Sequence, residues 1–183
     1  MITFFGFVFI AFVTLVVIFL CLAFLTPFFS KVPFVPVRDA VVDEIVSKMD
    51  IKDGSVVYDL GAGDGRVLFA CAKKYPKASF IGVERAPFPY LISQILRIFM
   101  PRKNLKLKYG NFYKIDLTQA THIFVYLFPR VLDELLPKFE KELKKESLVY
   151  SCDFRFSKKE PIQVLELKAK HYQLNRRLNI YKF

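Results

Sequence analysis

The residues of this 183-residue chain best suited to chemistry lie in the string Tyr58-Asp59-Leu60-Gly61-Ala62-Gly63-Asp64-Gly65-Arg66. Three glycines at alternate positions separate a short apolar run from a helical pattern. There the backbone can turn sharply and let a ligand approach without a Cβ in the way. A helix starting at that point presents unpaired N–H groups to a carboxylate. Dinucleotide folds use G-x-G-x-x-G here, spaced to bring a pyrophosphate to the helix start. The spacing G-x-G-x-G, with Asp59 ahead of it, suits a ligand with an amino-acid end instead. Glu84 ends the next apolar run, where doubly wound folds place an acid whose two oxygens take the hydroxyls of a ribose. By itself Glu84 reads as a surface cap before Arg85; beside the glycine loop it reads as a ribose ligand.

Other chemistries find few residues. The two histidines, His122 and His171, and the three cysteines, Cys21, Cys71 and Cys152, show no metal-ligand spacing. That predicts no metal site and a reduced, cytosol-facing domain in place of a disulfide scaffold.

The elements that must position the loop follow from periodicity. Val41, Val42, Ile45, Val46 and Met49 recur at helical steps, and Asp53-Gly54 marks a turn. Residues 55–60, 80–84, 105–109, 123–127 and 148–151 read as five short strands. Helices are expected from Arg66 to about Tyr75, over 87–99, and over the amphipathic stretch from Val131 to Leu143. Segments 162–168 and 173–182 read as a closing β-hairpin. Strands alternating with helices predict an α/β fold: a doubly wound, mostly parallel sheet covered on both faces, here ending in an antiparallel hairpin.

Residues 1–30 contain no charged side chain, although the whole chain carries a formal net charge of +11. The run from Ile2 to Phe29 exceeds the roughly 20 helical residues that cross a bilayer core. It lacks the basic start and small-residue cleavage site of a signal peptide. This predicts a single transmembrane helix over 1–30 followed by one catalytic domain over 31–183. Lys31 and Arg38 follow the span and nothing positive precedes it, which places the domain on the cytoplasmic side. The basic surplus favours contact with anionic membrane lipid. The lysines are scattered and no aromatic recognition motif accompanies them, so nucleic acid is not an expected partner.

The segment from Asp59 to Gly65 resembles the first cofactor motif of class I S-adenosylmethionine-dependent methyltransferases. The resemblance implies that fold, that cofactor, and cofactor contacts from Asp59, Gly61, Ala62, Gly63, Gly65 and Glu84. Gly110-Asn111-Phe112 matches the motif that commonly meets adenine, with Asn111 where Asp is frequent and Phe112 beside the ring or in the core. An apolar helix, Pro33-Phe34-Val35-Pro36, the glycine motif, Tyr126-Leu127-Phe128-Pro129 and Ser151-Cys152-Asp153-Phe154 together are similar to a narrower family. These are the small lysine methyltransferases of the adenine nucleotide translocase and ATP synthase c-subunit type, with their prokaryotic relatives. Val37 departs from that pattern, which usually has Thr or Ser followed by Pro.

That resemblance implies a protein lysine, on a membrane or membrane-proximal partner, as the methyl acceptor. Pro33, Phe34, Pro36, Tyr126, Phe128 and Pro129 are the expected walls of its entry. No Asn/Asp-Pro-Pro-aromatic motif follows the fourth strand, which argues against base amino-group methylation, and no residue stands out as a general base. Two other readings share the same residues. One is methylation of a lipid, quinone or other small hydrophobic molecule, with the apolar helix 87–99 as entry lip or merely packed in the core. The other is a binding module without catalysis.

Overall fold

The computed structural model describes residues 2–29, 35–168 and 174–183, with side chains of the first helix described from Phe4 to Cys21. Helix α1 (Ile2–Phe29) has 28 residues and measures about 42 Å at 1.5 Å per residue. No residue of its Phe4–Cys21 stretch is buried by the rest of the protein. It is long and apolar enough to cross a bilayer.

The domain begins with α2 (Asp39–Lys48), whose Val41, Val42, Ile45 and Val46 are buried as the periodicity predicts. There follow β1 (Val56–Leu60), α3 (Arg66–Lys74), β2 (Ser79–Glu84), α4 (Pro87–Phe99) and β3 (Leu105–Tyr109). A 3-10 turn (Phe112–Lys114) leads to β4 (His122–Val125), α5 (Pro129–Glu142), β5 (Leu148–Cys152), β6 (Gln163–Glu166) and β7 (Arg177–Lys182). The sheet order is β3-β2-β1-β4-β5-β7-β6. Strands β1 to β5 pair in parallel, and β7 runs antiparallel between β5 and β6.

Both faces of the sheet are covered, as its continuous apolar strands require. Ile45, Val46, Leu68 and Phe80 belong to the core on one side, and Leu132, Leu135, Phe139 and Tyr181 to the core on the other. His122 is buried in β4, its ring stacked on Tyr150 and its nitrogens paired with Thr121 Oγ1 and the Asp50 carbonyl. Burial holds its pKa below the ordinary imidazole value. His171 falls outside the described residues.

Three differences from the sequence reading bear on function. Strand β4 stops at Val125, so Tyr126 and Leu127 leave the sheet at its edge instead of extending the strand. The hairpin is shorter than expected, ending at Glu166 and resuming at Arg177. Helix α4 has the expected bounds, but only Pro89 and Ser93 are buried; Tyr90 and Leu96 pack against the core, and core packing does not account for Leu91, Ile95, Ile98 and Phe99.

One glycine outside the motif proves as constrained as those within it. A Cβ on Gly82, in mid-β2, would lie 2.8 Å from Leu107 Cδ2, 2.9 Å from Leu68 Cδ1 and 3.0 Å from Ala62 Cβ. The leucine tips can yield, but Ala62 belongs to the glycine loop. Gly82→Ala is expected to cost about 1–3 kcal/mol by overpacking, read as a lower Tm in thermal unfolding of the detergent-solubilised protein.

Candidate active site

The strand order reverses between β1 and β4: β2 and β3 lie to one side, β5 to the other. Loops leaving neighbouring strands in opposite directions open a crevice at their carboxyl ends, which is where ligands bind in such sheets. The loop after β1 turns at once. Gly61 N and Ala62 N both donate to the Val83 carbonyl, at 2.9 and 3.1 Å. Gly61 sits at φ 85°, in the left-handed region that favours glycine. A Cβ there would also come 3.2 Å from Leu127 Cδ2.

Glu84 fastens this loop. Its Oε2 accepts from Gly63 N at 2.8 Å and its Oε1 from Ala86 N at 2.6 Å. The carboxylate is buried yet lines the cleft, so each oxygen keeps a second lone pair for a ligand.

Asp59 is the penultimate residue of β1, just before the loop. Its carboxyl pKa stands well above the ordinary value, first because it is buried and then because Glu84 and Asp64 are near. Asp64 is neutralised by Arg66, whose Nη2 lies 2.6 Å from Asp64 Oδ2 and whose Nε bonds both oxygens. What remains at the centre is the Asp59 and Glu84 pair, an arrangement that favours a positively charged ligand.

Arg66 also reaches the segment before α2. Its Nη1 donates to the Val37 carbonyl and to Asp39 Oδ1, each at 2.9 Å. On the other side Arg38 N donates to Asn175 Oδ1 at 3.0 Å, and Asn175 N donates to Asp153 Oδ2 at 2.6 Å. Val35, Pro36 and Val37 are thereby held along one wall of the cleft.

The cleft lining is aromatic at Phe112, Tyr113, Phe124 and Tyr126. Tyr126 stacks on Phe154 at 5.8 Å, and Phe128 meets Phe154 at 5.1 Å. Burial, with Asp153 beside it, pushes the Tyr126 phenol pKa up, so the hydroxyl stays protonated. The cleft together with the open solvent at its mouth takes up about 940 Å³.

A family model described as the ANTKMT methyltransferase domain matches residues 59–163. The chain belongs to that family.

Other comparisons agree with this methyltransferase assignment. A protein-lysine N-methyltransferase of Saccharolobus islandicus is 31% identical over 139 residues, which are 75% of this chain and 86% of that protein. The human lysine N-methyltransferase of the ATP synthase C subunit is 31% identical over 137 residues, covering 73% of this chain but only 57% of that protein. The crystal structure of an RNA methyltransferase from Salinibacter ruber, in complex with S-adenosyl-L-homocysteine, has a TM-score of 0.73 at 25% identity. The match covers 81% of this chain and 93% of that one. The chain is therefore an S-adenosylmethionine-dependent methyltransferase with a Rossmann-like seven-stranded sheet.

The residues present fit that cofactor. Its sulfonium and ammonium are the positive charges that Asp59 and Glu84 call for, and its ribose suits the remaining acceptors of Glu84. Asp59, Gly61, Ala62, Gly63, Glu84, Pro36, Asn111, Phe112 and Tyr126 all line the one cleft. Gly65 does not: it is the N-cap of α3 at φ 81°, and a Cβ there would face Phe69 and Leu107. Asn111 Oδ1 caps the 3-10 turn by accepting from Tyr113 N at 3.1 Å. Phe128 does not line the cleft: it is 39% exposed and packs on Phe154; Pro129 is the first residue of α5, and Pro33 and Phe34 lie outside the described residues.

Sequence reasoning quotes Arg66 and Phe154 within motifs but gives neither a role, and it does not name Asn175, whose partner Arg38 lies 137 positions away in the chain, beyond any local signal.

Asp59→Asn is expected to weaken cofactor binding at least about tenfold while stabilising the ligand-free protein, because it removes a buried carboxyl held among like charges. In the parent protein the cation favours ionised Asp59. A carboxyl with a raised pKa must then release a proton on binding, so affinity strengthens as pH rises above the ordinary carboxylate range. Titration calorimetry in buffers of different ionisation enthalpy checks both the affinity and the released proton.

Proposed function

We propose that this protein is a membrane-anchored protein-lysine N-methyltransferase. In this reading α1 spans the bilayer, the domain lies on its cytoplasmic side, and a membrane or membrane-proximal protein is the substrate. The observation that carries it is the aromatic wall that Tyr126 gives the cleft, its ring stacked on Phe154. The archaeal and human relatives, both lysine methyltransferases by name, support the choice of acceptor. The apolar run of α1 supports the anchor.

Glu84 holds the ribose end of the cofactor, Asp59 and the Gly61–Gly63 loop its amino-acid end, and Asn111 and Phe112 its adenine end. S-adenosylmethionine, when bound, supplies a methyl group activated on sulfur. Everything else falls to the chain. A lysine arrives protonated and must lose that proton to become nucleophilic. The aromatic wall and the Val35–Val37 strap exclude water from its amine, which lowers the amine pKa. The proton leaves to solvent at the mouth. Alignment of the neutral amine with the methyl group then supplies the rate gain of positioning. Asp153 acts as scaffold here, since its oxygens accept from the backbone N–H groups of Asn175 and Arg176 at 2.6 and 2.7 Å.

Incubating host membranes with methyl-labelled cofactor and the protein is expected to label polypeptide at lysine, located by mass spectrometry. Label confined to the lipid extract, or to RNA, would overturn the lysine assignment. Phe128→Ala, at an exposed position against Phe154, should lower kcat/KM about tenfold or more and leave cofactor affinity within about twofold. Steady-state kinetics and calorimetry on the same preparation separate the two.

A further inference from the structure

Helix α4 presents its apolar stripe outward. Leu91, Ile95, Ile98 and Phe99 recur at helical spacing and are 39%, 46%, 75% and 78% exposed, and Met100 after them is 38% exposed. The stretch of chain that carries this stripe has charge of one sign, while Asp39, Asp43 and Asp64 share a surface depression with Leu96 and Met100 near its end. From Arg85 to Ile115 the sequence holds seven basic residues and no acidic one. Arg97, Lys103, Lys106 and Lys108 are exposed, the last two on β3, which is the free edge of the sheet.

The stripe is continuous with α1. Phe88, at the start of α4, meets the Phe19 ring edge-on at 4.9 Å. Phe19 lies about 26 Å along α1 from Ile2, by 1.5 Å per residue, and a bilayer hydrocarbon core is about 30 Å thick. With α1 crossing the bilayer by its stretch Phe4–Cys21, α4 meets it at the level where hydrocarbon gives way to headgroups. Apolar side chains flanked by lysine and arginine are what that boundary accommodates.

We infer that α4 and the adjoining β3 edge form a second membrane contact, which seats the domain on an anionic lipid surface. This inference rests on α1 spanning the bilayer, as proposed above. Helix α4 lies in the interface with Ile98 and Phe99 among acyl chains, and the lysines of β3 meet lipid phosphates. Because Pro89 and Ala86 line the cofactor cleft, the same seating places the cleft beside the bilayer surface. Catalysis is thereby restricted to lysines close to the membrane.

The test uses the full chain reconstituted in vesicles of phosphatidylcholine with and without phosphatidylglycerol. Single cysteines replace Ile98, Leu15 or Lys158 in a Cys21→Ser background, since Cys71 and Cys152 are buried. Each carries an environment-sensitive fluorophore, quenched either by nitroxide lipid or by aqueous iodide. Position 98 is expected to show at least about twofold stronger lipid quenching than position 158, the difference growing with anionic lipid. Lipid quenching at 15 with position 98 as open to iodide as 158 overturns the second contact and keeps the span. Lipid quenching at 98 without it at 15 keeps the contact and overturns the span. Protection of 98 from both quenchers, growing with protein density, overturns the lipid contact in favour of a second copy of the chain.

Discussion

The site depends on one buried carboxylate. Glu84 accepts from Gly63 N at the glycine loop and from Ala86 N at the entry to α4, joining three pieces of backbone at the end of β2. A charge removed from water is tolerated only with such donors, and the donors in turn fix the geometry of everything attached to them. The loop cannot move away from β2 without leaving Glu84 unsatisfied. The chain entering α4 is aimed by the same bond, and with it the direction in which the apolar stripe of that helix faces.

Arg66 does for the N-terminal side what Glu84 does for the centre. Its guanidinium clasps Asp64 through several short bonds and spans to the Val37 carbonyl, a planar fork matched to both partners. Its contact with Asp39, which is 89% exposed, adds little, as exposed ion pairs do. The segment leading from α1 into the domain is thus bonded to the residue that follows the cofactor loop.

Helix α4 is instructive about periodicity. Its pattern marks an apolar stripe without ambiguity, and in a water-soluble domain such a stripe faces the core. Here the core side is taken by Pro89, Tyr90, Ser93 and Leu96, and Leu91, Ile95, Ile98 and Phe99 face away. Spacing along a helix says that one side is apolar; it does not say whether protein or lipid covers that side.

Local pattern was enough for the order of elements, the α/β class, the glycine loop and Glu84. Each of these follows from spacing within a few residues: alternating apolar runs, glycines at a strand-to-helix junction, an acid at the next strand end. The apolar length of α1 is equally local. Only tertiary structure decided that β4 releases Tyr126 into the cleft, that Gly82 must lack a side chain, and that Asn175 reaches back to Arg38. Those facts arise where strands and loops distant in sequence are brought within a few ångströms, and no periodicity records such contacts. The same holds for the raised pKa of Asp59, which comes from burial and from Glu84 and Asp64 converging on it. Sequence names the three acids; only the fold makes them neighbours, and with that a site that favours a cation.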